Sequence, residues 1–233
     1  MNEQQFVEKC QNNGLLLTNA QLNQLEAFYN LLIETNKVMN LTAITEKEEV
    51  YEKHFYDSLL FSFKLDLQEK SLIDIGTGAG FPGLVIAICY PYCQVTLVEP
   101  LTKRCSFLKK VIENLNLQNV TLINARGEDL QQYREKFDYA TARAVARLNI
   151  LLEIITPLVK VNGIFIALKG SQGLQEIQEA EKALKVLKCE VIEIQNANLI
   201  TENDQRINVF IRIKNSIDKK YPRNYAQIKK KPL

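Results

Sequence analysis

Residues Leu72-Ile73-Asp74-Ile75-Gly76-Thr77-Gly78-Ala79-Gly80-Phe81-Pro82-Gly83 carry an apolar run into an acid and then into four glycines. Glycines at 76, 78 and 80 let the backbone take positive φ and approach a ligand with no Cβ in the way. Glu99 stands 23 residues after Gly76, closing the next apolar run Val95-Thr96-Leu97-Val98, where a carboxylate can accept two ribose hydroxyls. A nucleotide-like cofactor on this turn is the expectation. Residues 78–83 also fit the dinucleotide pattern G-x-G-x-x-G, in which a strand leads straight to its first glycine and a pyrophosphate rests on the helix N-terminus. Asp74 would repel that pyrophosphate but attract the ammonium and sulfonium of S-adenosylmethionine. The residues favour the methyl donor, held by Asp74, Gly76 and Gly78, over a nicotinamide dinucleotide and an oxidoreductase.

The acceptor is approached by exclusion. Thr141-Ala142-Arg143-Ala144 replaces the Asn- or Asp-Pro-Pro-aromatic segment of amino-group base methylation, and none of the five cysteines follows a proline as a pyrimidine C5 nucleophile would. What remains is an atom already nucleophilic without losing a proton, such as guanine N7, with 2′-O methylation left open. No general base is then needed, and catalysis rests on alignment of reacting atoms about 3–3.5 Å apart. Arg126, Arg143 and Lys169 each follow an apolar run, and are expected to converge on one rim as catalytic contacts to guanine and phosphate. Gly127 and Glu128 suit an adenine edge. Lys103 and Arg104 open a helix, a poor place for cations, so a phosphate partner explains them better. Arg147, four after Arg143, extends that face, and His54 and Asp57, three apart on one turn, brace each other or face the substrate.

Around these residues the patterning implies an α/β protein. Apolar strands near 71–75, 93–99, 120–124, 137–142 and 163–169 alternate with helices near 82–90, 102–116, 145–160 and 172–187, the signature of a parallel sheet covered on both faces. Glu190–Gln195 and Asn208–Ile213, joined by a polar loop too short for a crossover helix, form an antiparallel hairpin at one edge. By fold analogy this is the Rossmann-like S-adenosylmethionine-dependent methyltransferase fold, a seven-stranded, mostly parallel sheet with one antiparallel edge strand. Residues 18–38, with Thr18 as N-cap, and 46–62 read as amphipathic helices. Three units are expected: an N-terminal helical cap over 1–65, a methyltransferase domain over 66–214 and a basic tail over 215–233.

Of 233 residues 46% are hydrophobic and 24% charged, which suits one large domain with an extension. No apolar run is long enough to span a membrane, and Glu3 and Glu8 replace the basic start of a signal peptide, so a cytoplasmic location is expected. Five cysteines without a C-x-x-C pair, and a single distant histidine, point to reduced core thiols and no metal site. Net charge is +2, yet residues 214–233 alone carry +6 and leave the remainder near −4. That asymmetry favours a polyanionic partner, and Tyr221 and Tyr225 among the cations suit stacking on bases.

Together these segments resemble the bacterial glucose-inhibited division protein B family, the 16S ribosomal RNA guanine-N7 methyltransferases, over nearly the whole chain. The resemblance rests on Asn40-Leu41-Thr42, His54-Phe55-Tyr56-Asp57-Ser58, Asp74 to Gly83, Lys103-Arg104, Ala125-Arg126-Gly127-Glu128, Thr141-Ala142-Arg143-Ala144, Ala167-Leu168-Lys169-Gly170, Tyr221-Pro222-Arg223 and the closing Lys230-Lys231-Pro232-Leu233. It implies cofactor contacts at Gly76, Phe81, Gly127, Glu128 and Arg143, with Glu99 on the ribose, and a guanine in a single-stranded loop of the decoding region as substrate. Contacts to that RNA are expected from Asn40, His54, Lys103, Arg104, Arg147 and Arg223, in a monomer acting on 16S RNA or the small subunit without membrane or metal. Two further readings stand beside it: a methyltransferase for another RNA or a small molecule, and an RNA-binding scaffold without activity.

Overall fold

The computed structural model describes residues 1–199 and 205–233. Seven strands form one sheet: β1 Ser71–Ile75, β2 Gln94–Val98, β3 Val120–Ile123, β4 Phe137–Arg143, β5 Val159–Lys169, β6 Cys189–Asn198 and β7 Gln205–Ile213. Their order is β3-β2-β1-β4-β5-β7-β6. The first five are parallel, and β7 runs antiparallel to both β5 and β6. The hairpin is at the edge as expected, but its reversed strand β7 lies one place in and β6 takes the rim. Burial explains the order: Ile207 through Ile211 of β7 are buried whereas most of β6 is exposed or half-exposed, so the more apolar strand goes inside. The loop expected between them includes residues 200–204, outside the described residues.

Both faces of the sheet are covered, because parallel strands must bury side chains on each side. Leu72, Val95, Leu97, Ile166 and Leu168 point into one core, while their neighbours Ile73, Val98, Phe165 and Ala167 point into the other. The first core is closed by α5 (Gly83–Cys89), α6 (Thr102–Asn114) and the N-terminal helices; the second by α7 (Leu148–Ile155), α8 (Gly173–Glu179), α9 (Glu181–Val186) and the C-terminal α10 (Tyr225–Lys230). The helix expected over 145–160 is shorter, since β5 already begins at Val159, and that over 172–187 is broken between α8 and α9 at Ala180.

Before the sheet come α1 (Glu3–Asn12), α2 (Asn19–Met39) and a continuous helical run of α3 (Lys47–Val50), a π-helical turn (Tyr51–Tyr56) and α4 (Asp57–Leu59). Thr18 caps α2 as its sequence suggests: Thr18 Oγ1 accepts from Gln21 N at 3.3 Å and Gln21 Oε1 from Thr18 N at 2.9 Å, a reciprocal capping box. The same Gln21 donates to the last carbonyls of α5, Ile88 and Cys89, at 3.0 Å each, so one side chain starts a cap helix and ends a domain helix. Phe6, Phe28, Leu32 and Phe55, all fully buried, join α5 and α6 in the first core.

The basic C-terminal segment is packed down. Ile217, Tyr221 and Ile228 are buried in the second core, and Arg223 grips Glu153 of α7 through Nε at 2.7 Å and Nη2 at 2.6 Å. Glu153 has no exposed surface, so it depends on that partner. Arg223→Ala, which leaves a charge buried and unpaired, is expected to lower unfolding free energy by about 3 kcal/mol in urea titrations; a loss below about 1 kcal/mol would show that the segment contributes little to the fold.

Candidate active site

The sheet changes winding direction between β1 and β4, and ligands of open α/β sheets lie in the crevice beyond the strand ends at such a point. Asp74 sits there. Its Oδ2 accepts from Gly83 N at 3.0 Å and its Oδ1 from Thr141 Oγ1 at 3.0 Å. Burial pushes its pKa up, opposed by those hydrogen bonds. Asp74, expected to attract the sulfonium, is fully buried, with its carboxylate bonded to the start of α5 and to β4. A Cβ on Gly83 would lie 2.2 Å from Leu97 Cδ2 and 3.0 Å from Asp74 Oδ2, so a side chain there would displace buried Leu97.

Above it the glycine turn is pinned to β2 by Gly76 N and Thr77 N, which donate to Val98 O at 2.9 and 3.1 Å. Gly78, at φ +62°, has nothing closer to its Cβ position than Gly76 O at 4.0 Å, so a ligand has room there. Glu99 accepts from Gly78 N at 3.0 Å and from Leu101 N at 2.9 Å, with Arg104 Nη1 at 3.7 Å. Expected on the ribose, it lies nearly enclosed beneath the turn. Glu128, following the short helical turn's Gly127, has a buried Oε1 with no hydrogen-bond partner; Arg126 Nη1 is 3.6 Å from it. An orphaned acceptor, a glycine opening and an acid beyond β2 fit an adenosyl cofactor.

Phe81, expected at the cofactor, packs inward. It is buried, stacked on His54 at 4.5 Å and on Phe28 at 5.2 Å between ring centres, where it locks the turn to the cap. Arg143 lies over its other neighbourhood, guanidinium 5.2 Å from the ring centre. Arg143 also donates from Nη1 to Asp57 Oδ2 at 3.0 Å, and Arg206 Nε donates to Asp57 Oδ1 at 3.1 Å. His54 and Asp57 therefore do not brace each other: Asp57 joins two arginines, while His54 Nε2 meets Thr42 Oγ1 at 2.8 Å. Burial, helped by Arg143 and Arg206, pushes the His54 pKa down to about 3, so the ring is neutral and does not offer RNA a charge.

His54, Asp57, Arg143 and Arg206 border a cavity of about 600 Å³, lined also by Lys53, Val145, Arg147, Lys169 and Glu176. Lys169 donates to Ala146 O at 2.7 Å and pairs with Glu176 at 2.8 Å. Arg126 is not among its walls; it lines a second cavity of about 450 Å³ with Arg223 and Tyr225, its guanidinium 5.8 Å from the Tyr225 ring centre. The expected single convergence of Arg126, Arg143 and Lys169 is thus corrected. β3 stands three places from β4 in the sheet, about 14 Å at ordinary strand spacing. Arg147 pairs with Glu179 at 2.9 Å, Lys103 is exposed at the start of α6, and Asn40 ends α2 at φ 50° with an exposed side chain. Arg223 is committed to Glu153. Sequence reasoning missed Arg206 and Glu176, but Glu153, a lone acid inside the apolar run Leu148–Ile155, was a visible sign that a buried cation must come to it.

No helix is long and apolar enough to cross a membrane, and no group of three metal-ligating side chains comes together, among the described residues. Burial raises the thiol pKa of all five cysteines, Cys10, Cys93 and Cys189 to about 12, leaving no cysteine nucleophile. The fold is shared with a SAM-dependent methyltransferase from Aquifex aeolicus (TM-score 0.55, 14% identity, 72% of this chain and 94% of that one) and with M. jannaschii TYW2 in complex with AdoMet (TM-score 0.58, 13% identity, 73% and 79%). Its sheet order, glycine turn and acid after β2 are those of the Rossmann-like methyltransferase fold. Over its full length it is 45% identical to the ribosomal RNA small subunit methyltransferase G of Leuconostoc mesenteroides and 44% identical to that of Bacillus subtilis, covering 100% and 99% of those proteins. Residues 21–206 match the model of the rRNA small subunit methyltransferase G family, and the chain belongs to that family.

The depressed His54 pKa makes a prediction about stability. Between about 3 and 6.5 the unfolded chain binds a proton at His54 that the folded protein refuses, so stability is lost as pH falls through that window, by up to about 1.4 kcal/mol per pH unit. His54→Gln removes this contribution. Urea midpoints at pH 5 and pH 7.5 are expected to differ less in the variant than in the wild type; an equal difference would mean that His54 already carries its proton in the folded state.

Proposed function

We propose that the protein transfers a methyl group from S-adenosylmethionine to N7 of one guanine in a single-stranded loop of 16S ribosomal RNA, acting in the cytoplasm as a monomer. The observation that carries this reading is the cation-lined cavity beside the glycine turn, which holds no histidine or cysteine able to take a proton. His54 is neutral and bound to Thr42, Asp57 is committed to Arg143 and Arg206, and Glu176 Oε2 is held by Lys169. An acceptor that keeps its lone pair available at neutral pH needs nothing more.

When bound, S-adenosylmethionine supplies an electrophilic methyl on a sulfonium. An ionised carboxylate offers about four acceptor positions; Glu99 uses two on Gly78 and Leu101, and a ribose settling over the turn would meet the others. Glu128 Oε1, buried without a hydrogen-bond partner, suits an adenine amino group. Gly78, open where a Cβ would stand, leaves room for the cofactor, while Arg143 and Lys169 hold guanine O6 or flanking phosphates. Arg126, with the Tyr225 ring beneath it, binds RNA from the second cavity. Positive charge passes from sulfur to the purine, so these cations position the substrate and do not neutralise an anion, and rate comes from alignment.

The direct test is transfer of a labelled methyl from S-adenosylmethionine to small subunits that lack the modification, with mapping of the product. Label at N7 of one guanine is expected, and label elsewhere would redirect the substrate assignment. Gly78→Val places a branched side chain at φ +62°, a strain of about 1–2 kcal/mol, in the space left for the cofactor. Its dissociation constant for S-adenosylmethionine is expected to rise more than about tenfold; near-normal binding by a folded variant would displace the cofactor from this turn.

A further inference from the structure

Lys169, at the end of β5, and Glu176, on α8, stand side by side in the wall of the larger cavity. Each has capacity left over. The Lys169 ammonium uses one N–H on Ala146 O at 2.7 Å and one on Glu176 Oε2 at 2.8 Å, and a third remains. Glu176 Oε2 also accepts from Leu148 N at 2.7 Å, whereas Glu176 Oε1 makes no hydrogen bond among the described residues. The side chains are 8% and 13% exposed, so both groups look into the cavity from a mostly desolvated wall. The result is a fixed array of one charged donor next to one charged acceptor.

Guanine presents a matching edge: O6 accepts, and N1–H and the 2-amino group donate. Adenine presents the reverse, a 6-amino donor beside an N1 acceptor, and would set an N–H against the ammonium and a lone pair against the carboxylate. The order of contacts along the wall also matches. Glu176 touches Lys169, Lys169 holds Ala146, and the adjoining Val145 lies against Gly76 of the glycine turn, its Cγ2 2.6 Å from where a Cβ on that glycine would be. Read along a guanine, the 2-amino group, N1, O6 and N7 follow in that order, which brings N7 to the end nearest the cofactor turn.

We propose that the Glu176–Lys169 pair reads the N2–N1–O6 edge of the target guanine and so excludes adenine. This rests on the guanine-N7 reading above. The purely structural alternative is that Glu176 only caps α7 and ties down Lys169. Inosine separates the two, because it keeps N7, O6 and N1–H and lacks only the 2-amino donor.

Small subunits rebuilt with 16S RNA carrying either guanosine or inosine at the mapped position would be assayed for kcat/KM with the wild type and with Glu176→Gln. That amide keeps an acceptor for Leu148 N–H but turns a donor towards the base. The wild type is expected to prefer guanosine about tenfold, the worth of one hydrogen bond to a charged group. Glu176→Gln is expected to lose about tenfold to a hundredfold on guanosine, to bind S-adenosylmethionine normally, and to show little preference between the two substrates. An equal loss on both, with the preference intact, overturns the edge reading and leaves Glu176 a structural cap. The wild type alone decides the matter should the variant fail to fold: no preference for guanosine over inosine overturns the proposal. No transfer to either subunit overturns the guanine-N7 assignment itself.

Discussion

A carboxylate without exposed surface governs the geometry of this protein. Asp74 ends β1 at the switch in winding direction, and there it receives the first N–H of α5 and the Thr141 hydroxyl of β4. Isolated, such a group would be costly to bury. Its partners are a helix N-terminus, which favours negative charge, and a hydroxyl from the strand on the far side of the switch. The glycine turn is therefore stretched between two fixed ends, Asp74 below and Glu99 beside it. Its shape is set before any cofactor arrives, so little binding energy is needed to order it.

The second such junction joins the cap to the sheet. Asp57 lies on the helix that follows the π-helical turn, and it bridges Arg143 of β4 and Arg206 of β7. Phe81 of the glycine turn fills the neighbouring space, stacked on His54 and Phe28. A cap residue thereby fixes two arginines of the sheet, and an aromatic of the turn is fixed in return by the cap. Removing charge at Asp57 would take a shared carboxylate from both guanidinium groups and leave Arg143 to the Lys53 carbonyl and the Phe81 ring. The cap is thus part of the cavity wall and not a cover laid over it.

Much of this was legible in the sequence. The strands were visible because a parallel sheet buries both faces and its strands read as unbroken apolar runs; the glycine turn and Glu99 were visible because their spacing follows from one strand–helix–strand unit. What escaped reading was pairing over long separations. Asp57 and Arg206 lie 149 positions apart, and nothing local to either marks the other. Arg143 and Lys169 end their strands and Arg126 lies in the loop after β3, but the sequence does not say that β3 lies three places from β4, and that order splits them between two cavities. Asp74 and Phe81, expected at the ligand, are buried and bonded or stacked within the fold, because at a tight strand-to-helix turn alternate side chains point inward.

Arg223 on Glu153, with Tyr221 and Ile228 in the second core, holds the basic C-terminal segment against the body. A chain whose last twenty residues carry +6 and whose remainder is near −4 would, with a loose tail, average its charge over many orientations. Immobilised, the same charges form a permanent electric dipole. In the field of a polyanion such a molecule experiences a torque as well as an attraction, and it turns its basic face forward before contact. The buried ion pair therefore bears on the approach to RNA: it fixes which side of the protein arrives first.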